Sequence, residues 1–284
     1  MKVQTMAVVP KIIDCNIDCK FCIKKSTFTI KEAEDLDFGK LKAAVDYAIK
    51  GGSQTVSISG GGEPLLYGVE KTSKLIKFLK NYFGKIDIHT NGTLLDDYST
   101  KKYAQAGLTN VMISRAHYDE EINKEIMGGY TKTKEKVKSL NENEIVPRLS
   151  MILLKDYIDN DSEIKKYLDW AAEIEAKQVI IRQLSVVPAK YCSYAAKEND
   201  WSKQHFVPIK VATEFLEKID SEKLLTLPWG PPVYSYKAKN NNFLNVCTYT
   251  YPENEERGYS LRSVLFFPDN HLYYSWKHQA SLIM

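Results

Sequence analysis

Short apolar runs rich in β-branched residues alternate with helical patterns over the first two thirds of the chain. Six of these runs are predicted strands, each followed by enough residues for a helix: 6–13, 55–59, 86–90, 111–114, 148–154 and 179–184. Strands that alternate with helices pair in parallel through right-handed crossovers. The pattern predicts an α/β fold, a partial (β/α)6 TIM-like barrel, whose ligands gather at the carboxyl ends of its strands.

Two of the segments between strands show an apolar stripe at helical spacing. One follows Asp37 and ends at Gly51 and Gly52, which form a permissive C-terminal cap, and the other precedes the sixth strand. The buried faces of these helices are predicted at Leu41, Ala44, Val45, Ala48 and Ile49 in the first and at Ile164, Tyr167, Leu168, Ala171 and Ile174 in the second.

The pattern changes after about Gln183, where prolines, polar runs and aromatic residues replace the regular alternation. The chain is therefore predicted to consist of a barrel over residues 1–190 and a small C-terminal α+β cap over 191–284, which covers the substrate. The closing stretch SVLFFPDNHLYYSW, residues 263–276, is typical of a β-hairpin that turns at Pro268, Asp269 and Asn270.

Composition and charge limit the possible partners. The 284 residues are 44% hydrophobic, enough for one sizeable core, and 39 basic and 36 acidic side chains are scattered along the chain. Without a basic tract, no nucleic-acid or membrane partner is expected. The N-terminus lacks a secretory signal pattern, and no apolar run approaches the roughly 18 residues of a membrane span. These features predict a cytoplasmic protein.

Three cysteines stand close together in CNIDCKFC, just past the first predicted strand. They are Cys15, Cys19 and Cys22. A closed structural zinc site needs four ligands, but the next histidine is His89 and the next cysteine is Cys192. An iron-sulfur cubane held by three thiolates leaves one iron open. The spacing therefore predicts a metal site that coordinates an exchangeable ligand.

The cysteine spacing, with Phe21 before the last cysteine, resembles the hallmark of the radical SAM enzymes. The resemblance extends to SGGGEPLL after the second strand, which contains the family's Gly-Gly-Glu-Pro element as Gly61, Gly62, Glu63 and Pro64. It implies that the three cysteines hold a 4Fe-4S cluster and that S-adenosylmethionine chelates the open iron. Phe21 would then lie by the adenine, and the Gly-Gly-Glu-Pro element would bind the ammonium group.

Weaker similarities to the family continue along the barrel. Asn91, in HTNG, either lies near the cofactor or forms a tight Asn-Gly turn. Ser114 and Ser150 either direct hydroxyls to the methionine carboxylate or ribose of the cofactor or are ordinary strand serines. Arg182 and Gln183, which end the sixth strand, either contact cofactor or substrate or belong to a solvated rim.

One position departs from the family pattern. Many relatives carry an arginine about a dozen residues after the serine of the fourth strand, and Met127 or a neighbour occupies that place here. Another group must then neutralise the methionine carboxylate, and Arg115 and Arg148 are both candidates.

Two cysteines lie outside the cluster, Cys192 and Cys247. They could contribute to an auxiliary cluster, although two thiolates are too few for an ordinary cubane and Trp276 stands where a further cysteine is expected. Alternatively, Cys192 is a catalytic residue that returns a hydrogen atom to a substrate radical. A packed thiol without a chemical role is the favoured interpretation.

The family resemblance implies a reaction class. Reductive cleavage of S-adenosylmethionine would give a 5'-deoxyadenosyl radical, which abstracts hydrogen from the substrate, with an electron donor such as flavodoxin or ferredoxin. A small-molecule substrate is preferred over a peptide side chain, because the chain starts almost directly at the first strand. The competing class, a non-enzymatic iron-sulfur electron-transfer or binding protein, would not need the Gly-Gly-Glu-Pro element.

Overall fold

The structure is a computed structural model, and it describes residues 1–12, 14–22, 30–187, 196–219, 221–227, 230–249, 256–257, 260–276 and 279–284. Its strands are β1 (Lys2–Val8), β2 (Thr55–Ile58), β3 (Lys85–Thr90), β4 (Asn110–Ser114), β5 (Val146–Ile152), β6 (Gln178–Arg182), β7 (Glu222–Thr226), β8 (Pro232–Lys237), β9 (Phe243–Tyr249), β10 (Glu256–Arg257), β11 (Ser260–Phe266) and β12 (Leu272–Tyr273). Its helices are α1 (Phe38–Lys50), α2 (Val69–Lys80), α3 (Asp97–Ala106), α4 (Glu120–Met127), α5 (Thr133–Glu142), α6 (Asp161–Glu173), α7 (Ala196–Gln204) and α8 (Lys210–Lys218), with short 3-10 helices at Pro64–Tyr67 and Gln279–Ser281.

The described strands form a single sheet in the order β10-β11-β1-β2-β3-β4-β5-β6-β9-β8-β7, with β12 paired to β11. Every neighbouring pair from β11 through β1–β6 to β9 is parallel. The sheet is not closed into a ring of hydrogen-bonded strands. The predicted α/β class, with a parallel sheet that forms a partial barrel, is confirmed.

All six strands predicted from the apolar runs are present, with ends that shift by a few residues. The first shifts most, since β1 begins at Lys2 and ends at Val8. Pro10 explains this end, because proline has no N–H to donate to a neighbouring strand. The residues after Pro10 therefore belong to the loop that leads to the cysteines.

Two strands of the C-terminal third join the barrel sheet itself, which the pattern did not indicate. β9 pairs in parallel with β6, and β11 pairs in parallel with β1, so the C-terminal residues extend the sheet at both sides. The predicted hairpin is confirmed, because β11 and β12 are antiparallel around the turn at 267–271. The predicted boundary after residue 190 falls in 188–195, outside the described residues, and the division into two domains stays a prediction.

The sequence of helix α1 determines where the helix begins and which of its faces packs against the sheet. Asp37 caps its N-terminus by accepting hydrogen bonds from Gly39 N and Lys40 N at 2.8 and 3.1 Å. Four of the five predicted core positions are fully buried against the sheet: Leu41, Ala44, Val45 and Ala48. Ile49 is 39% exposed, so its predicted burial is wrong, because it lies in the last turn, next to the end of the helix.

The stripe predicted before the sixth strand is confirmed. Helix α6 buries Ile164, Tyr167, Leu168 and Ala171, and Ile174 is buried immediately after the helix ends. Among the described helices, none has both the length and the apolar character needed to cross a bilayer.

The contrast within α1 yields a stability prediction. Leu41→Ala removes a fully buried side chain and should lower the free energy of unfolding by about 2–5 kcal/mol. Ile49→Ala on the same helix should change it by only about 0.5 kcal/mol, because the side chain is already partly in solvent. Urea denaturation of both variants measures the difference, and equal losses would contradict the assigned helix face.

Candidate functional site

The three clustered cysteines lie in the loop that follows β1, at the carboxyl edge of the parallel sheet. Cys15, Cys19 and Cys22 are all partly exposed, and Cys22 N donates to Cys19 O at 3.1 Å, which closes a turn between the last two. Among the described residues, no three His, Cys, Asp or Glu side chains converge on a single metal ion. An iron-sulfur cubane takes each of its protein thiolates on a different iron, so its ligands need not converge on one point.

Glycines after β2 let the cysteine loop lie directly against that strand's end. A Cβ on Gly61 would lie 2.7 Å from Ile12 O, and a Cβ on Gly62 would overlap the carbonyl oxygen of Asp14. Glu63 N donates to that same Asp14 oxygen at 2.8 Å. The residue before the first cysteine is therefore fixed by a backbone contact that no other residue type at position 62 would allow.

A glycine at the end of α4, Gly128, lies against the cysteine loop from another side. Lys20 N donates to Ile126 O at 3.0 Å. Gly128 has φ +79°, and a Cβ there would lie 2.9 Å from Asp18 N. Backbone contacts from two separate segments thus hold the loop on either side of the middle cysteine.

Asn91 connects the loop to the end of β3. Its Nδ2 donates to Asn16 Oδ1 at 2.9 Å and lies 3.9 Å from Cys15 Sγ, and Asn16 Nδ2 donates to Thr93 Oγ1 at 2.7 Å. Gly92 has φ +79°, as a tight Asn-Gly turn requires. The two interpretations of this segment are therefore compatible, because the turn is what brings the Asn91 amide to Cys15.

Glu63 is almost completely buried, with 2% of its surface exposed. Its carboxylate accepts hydrogen bonds from Thr90 Oγ1 at 2.6 Å, Asn91 N at 2.8 Å and Leu65 N at 3.1 Å. Burial raises the pKa of Glu63, and these three donors oppose that rise. Glu63 thus joins the ends of β2 and β3, and Pro64 after it begins the 3-10 helix.

Ser150 and Arg182 form a hydrogen bond inside the barrel. The side chain of Gln183 bonds elsewhere. Ser114 and Ser150 are register partners on β4 and β5, and Arg182 Nε donates to Ser150 Oγ at 2.9 Å. Gln183 Oε1 accepts from Ile209 N at 3.0 Å, so its amide oxygen anchors the start of α8. The structure therefore groups the two serines with Arg182 at the carboxyl ends of their strands.

Both arginines suggested for the methionine carboxylate already have acidic partners. The Arg115 side chain is 1% exposed, donates to Glu120 Oε2 at 2.6 Å and lies with Cζ 5.2 Å from the Trp170 ring centroid. Arg148 forms an ion pair with Asp87. Arg182 is the last residue of β6 and donates to Ser150, although the sequence pattern gave it no priority over its neighbours.

Apolar side chains pack behind the cysteine loop. Met127, at the position that departs from the family, is buried in a cluster that Cys19 and Phe21 contact. The Phe21 ring lies 6.3 Å from the ring of Trp201 on α7, which stacks on His205 at 4.0 Å. Trp201 was not predicted as a site residue, and the only sequence signal for it is the concentration of aromatic residues in the C-terminal third.

The structure describes only one of the two remaining cysteines. Cys192 lies in 188–195, outside the described residues, so its suggested role as a hydrogen donor stays a prediction. Cys247 lies on β9 opposite Ile180 of β6, and burial raises the pKa of its thiol. Cys247 therefore belongs to the barrel interior.

The family assignment follows from a direct sequence match. The Radical SAM superfamily matches residues 9–171, more than half of the chain. The chain therefore belongs to the radical SAM superfamily, a group of enzymes whose members bind a 4Fe-4S cluster and S-adenosylmethionine. The predicted family, enzyme class and cofactors are confirmed at this level.

Two curated relatives illustrate the range of this superfamily. A probable GTP 3',8-cyclase of Methanococcus aeolicus is 31% identical over 216 residues, covering 72% of this chain and 64% of the relative. A cysteine-type anaerobic sulfatase-maturating enzyme of Clostridium novyi is 22% identical over 180 residues, covering 59% of this chain and 48% of the relative. The chain thus spans about half to two thirds of the length of these relatives.

Solved structures share the fold. Streptococcus suis SuiB bound to S-adenosylmethionine superposes with a TM-score of 0.64 at 17% identity, over 95% of this chain and 60% of SuiB. SuiB bound to its precursor peptide SuiA gives a TM-score of 0.63 at 16% identity. At this identity the likeness establishes the fold alone, and it agrees with the partial barrel.

The contact between Gly62 and the cysteine loop can be tested with a matched pair of glycines. Gly62→Ala should displace Asp14 and lower the iron and acid-labile sulfide bound after anaerobic reconstitution at least about tenfold, because the added Cβ overlaps the Asp14 carbonyl. Gly84→Ala meets no atom within 4 Å and should bind as much iron as the wild type. Full iron loading of Gly62→Ala would contradict the proposed role of this contact.

Proposed function

We propose that this protein is a radical SAM enzyme in which Cys15, Cys19 and Cys22 hold the 4Fe-4S cluster and S-adenosylmethionine occupies its open coordination position. When bound, the two groups supply a one-electron cleavage of the sulfonium and a carbon radical that removes hydrogen from the substrate. The observation that carries this proposal is the cysteine loop, which the glycine run and Glu63 N hold at the mouth of the barrel.

The residues around the loop support this assignment through what their groups can do. Three thiolates on one loop would leave a cubane with one iron that these thiolates do not ligate. The Asn91 amide, 3.9 Å from Cys15 Sγ, is a polar donor beside a thiolate, and such groups tune the potential of iron-sulfur centres. The Gly61 and Gly62 backbone offers carbonyls that a bound ammonium group can approach closely.

Solvent exclusion is the second task of this chain in the proposed reaction. A carbon radical reacts with any nearby hydrogen donor, so the site must exclude competing groups. Phe21, Met127 and Trp201 form an apolar wall behind the loop, and Trp201 reaches it from α7, which lies in the part of the chain predicted to cover the substrate.

A small molecule is the substrate class we propose first, with a peptide side chain as the alternative. Polar side chains inside the barrel, including Ser150 and Arg182, support a compact polar substrate. The peptide alternative has support from SuiB, which shares the fold and has been solved with its precursor peptide. The electron would come from a donor such as flavodoxin or ferredoxin, which dithionite replaces in the experiment below.

The proposal predicts formation of 5'-deoxyadenosine by the reconstituted protein. Under anaerobic conditions with S-adenosylmethionine and dithionite, the wild type should form it, and the Cys15→Ala/Cys19→Ala/Cys22→Ala variant should not, because the cluster ligands are gone. Chromatography with mass detection measures the product.

Iron and sulfide counts provide the control for this experiment. The triple variant should bind no cluster, whereas Cys247→Ala, which removes a thiol from β9, should bind as much iron as the wild type. A fully loaded wild type that forms no 5'-deoxyadenosine would refute the proposed activity, and a triple variant that retains a cluster would refute the ligand assignment.

A further inference from the structure

The two residues between the second and third cysteines contact different parts of the protein. A backbone hydrogen bond between these cysteines closes a turn, and Lys20 and Phe21 form the body of that turn. The Lys20 ammonium nitrogen lies 2.7 Å from Glu125 Oε1 on α4, and the Phe21 ring centroid lies 6.3 Å from that of Trp201 on α7. Side chains that the cysteine motif does not include therefore hold the turn from two sides.

Tyr157 and His205 connect these two contacts. Tyr157 Oη donates to Glu125 Oε1 at 3.3 Å, and its ring centroid lies 6.1 Å from that of His205. The His205 ring stacks on the Trp201 ring, with the two centroids 4.0 Å apart. The contacts form a closed ring of side chains, which we call the clamp: Lys20, Glu125, Tyr157, His205, Trp201 and Phe21.

The ion pair in the clamp is too exposed to contribute much to stability. The side chains of Lys20 and Glu125 are 36% and 57% exposed, and pairs of this kind add little to the free energy of unfolding. The position of the pair is more informative. Lys20 directly follows a predicted cluster ligand, and consecutive Cα atoms are about 3.8 Å apart. Its side chain thus begins well within the roughly 8 Å over which charges act in physiological salt.

The charge of residues beside an iron-sulfur cluster helps to set the cluster's reduction potential. Reduction adds an electron, so a neighbouring cation stabilises the reduced form and raises the potential. The sulfonium cleavage in the proposed function needs a strongly reducing cluster, and an unpaired Lys20 would work against it. A carboxylate 2.7 Å from the ammonium nitrogen cancels most of the lysine's field at longer distances.

We propose that Glu125 keeps the cluster strongly reducing by neutralising Lys20, and that Tyr157 is a positioning residue that holds the Glu125 carboxylate in place. This inference rests on the proposed function and deepens it, because it assigns control of the cluster's potential to residues outside the cysteine motif. The aromatic part of the clamp supports Tyr157 from α7.

Redox titrations of the anaerobic, iron-loaded protein test this inference, with the EPR signal of the reduced cluster as the measurement. Glu125→Gln leaves Lys20 unpaired and should shift the midpoint potential to a more positive value. Lys20→Gln leaves the Glu125 charge uncompensated and should shift the potential in the opposite direction. The Lys20→Gln/Glu125→Gln variant lacks both charges, so its potential should lie close to that of the wild type.

Glu142→Gln is the matched control for the loss of a paired carboxylate. It frees Lys138 from an exposed ion pair at the end of α5 that leads into β5, the opposite edge of the sheet from the cysteines, and should leave the potential unchanged. Lys24 and Lys25 lie outside the described residues and are the same in every variant.

Tyr157→Phe tests the positioning role separately. It removes the hydrogen bond to Glu125 but keeps the ring, and should shift the potential in the same direction as Glu125→Gln by a smaller amount. The inference is overturned if Glu125→Gln and Lys20→Gln both match Glu142→Gln, or if both shift the potential in the same direction, as a purely structural disturbance of the turn would.

A parallel assay of 5'-deoxyadenosine distinguishes this inference from the proposed function. If the wild type forms 5'-deoxyadenosine but the potential does not respond to the ion pair, the inference is wrong and the proposed function stands. If the potential responds as expected but the loaded wild type forms no 5'-deoxyadenosine, the control by charge stands and the proposed activity is wrong. A wild type that binds no cluster overturns both.

Discussion

Close contact between two backbones is the constraint on which the candidate site depends. The loop that leads to the cysteines runs against the glycines after β2, and Glu63 N fixes the carbonyl oxygen of Asp14 directly before Cys15. Loops are normally the more mobile parts of a protein, whereas a metal cluster needs ligands at fixed relative positions. Glycine resolves this conflict, because the missing Cβ allows a rigid backbone to support the loop.

The buried carboxylate of Glu63 positions the ends of two strands rather than stabilising the folded protein. Its buried carboxylate has a raised pKa, so ionisation is harder in the folded than in the unfolded chain. The contribution of this group to stability is thus greatest below its unfolded pKa and is lost as the pH rises through the raised folded value. Above that raised value the charged form opposes folding, and the three hydrogen bonds of Glu63 instead align the ends of β2 and β3.

Features with a local signal were predictable from the sequence. The cysteine spacing, the glycine run and the β-branched strands are each encoded within a few residues, and the structure places them together at the carboxyl ends of β1, β2 and β3. The pairing of β9 with β6 and of β11 with β1 was not predictable, because parallel pairing between distant segments leaves no mark in either segment alone. For the same reason, the contact between the Tyr249 ring on β9 and the guanidinium group of Arg262 on β11 could be found only in the structure.

Side chains connect the two sides of the sheet where no ladder of hydrogen bonds joins them. A barrel closed by hydrogen bonds between β9 and β11 would bring these strands within about 5 Å of each other, leaving little space between their side chains. Here the guanidinium carbon of Arg262 on β11 lies 4.3 Å from the ring centroid of Tyr249 on β9, so a side-chain contact spans the gap. This contact associates the two strands without the main-chain pairing that a closed barrel would have. Side chains, and not a hydrogen-bonded ladder, therefore determine how β9 and β11 meet.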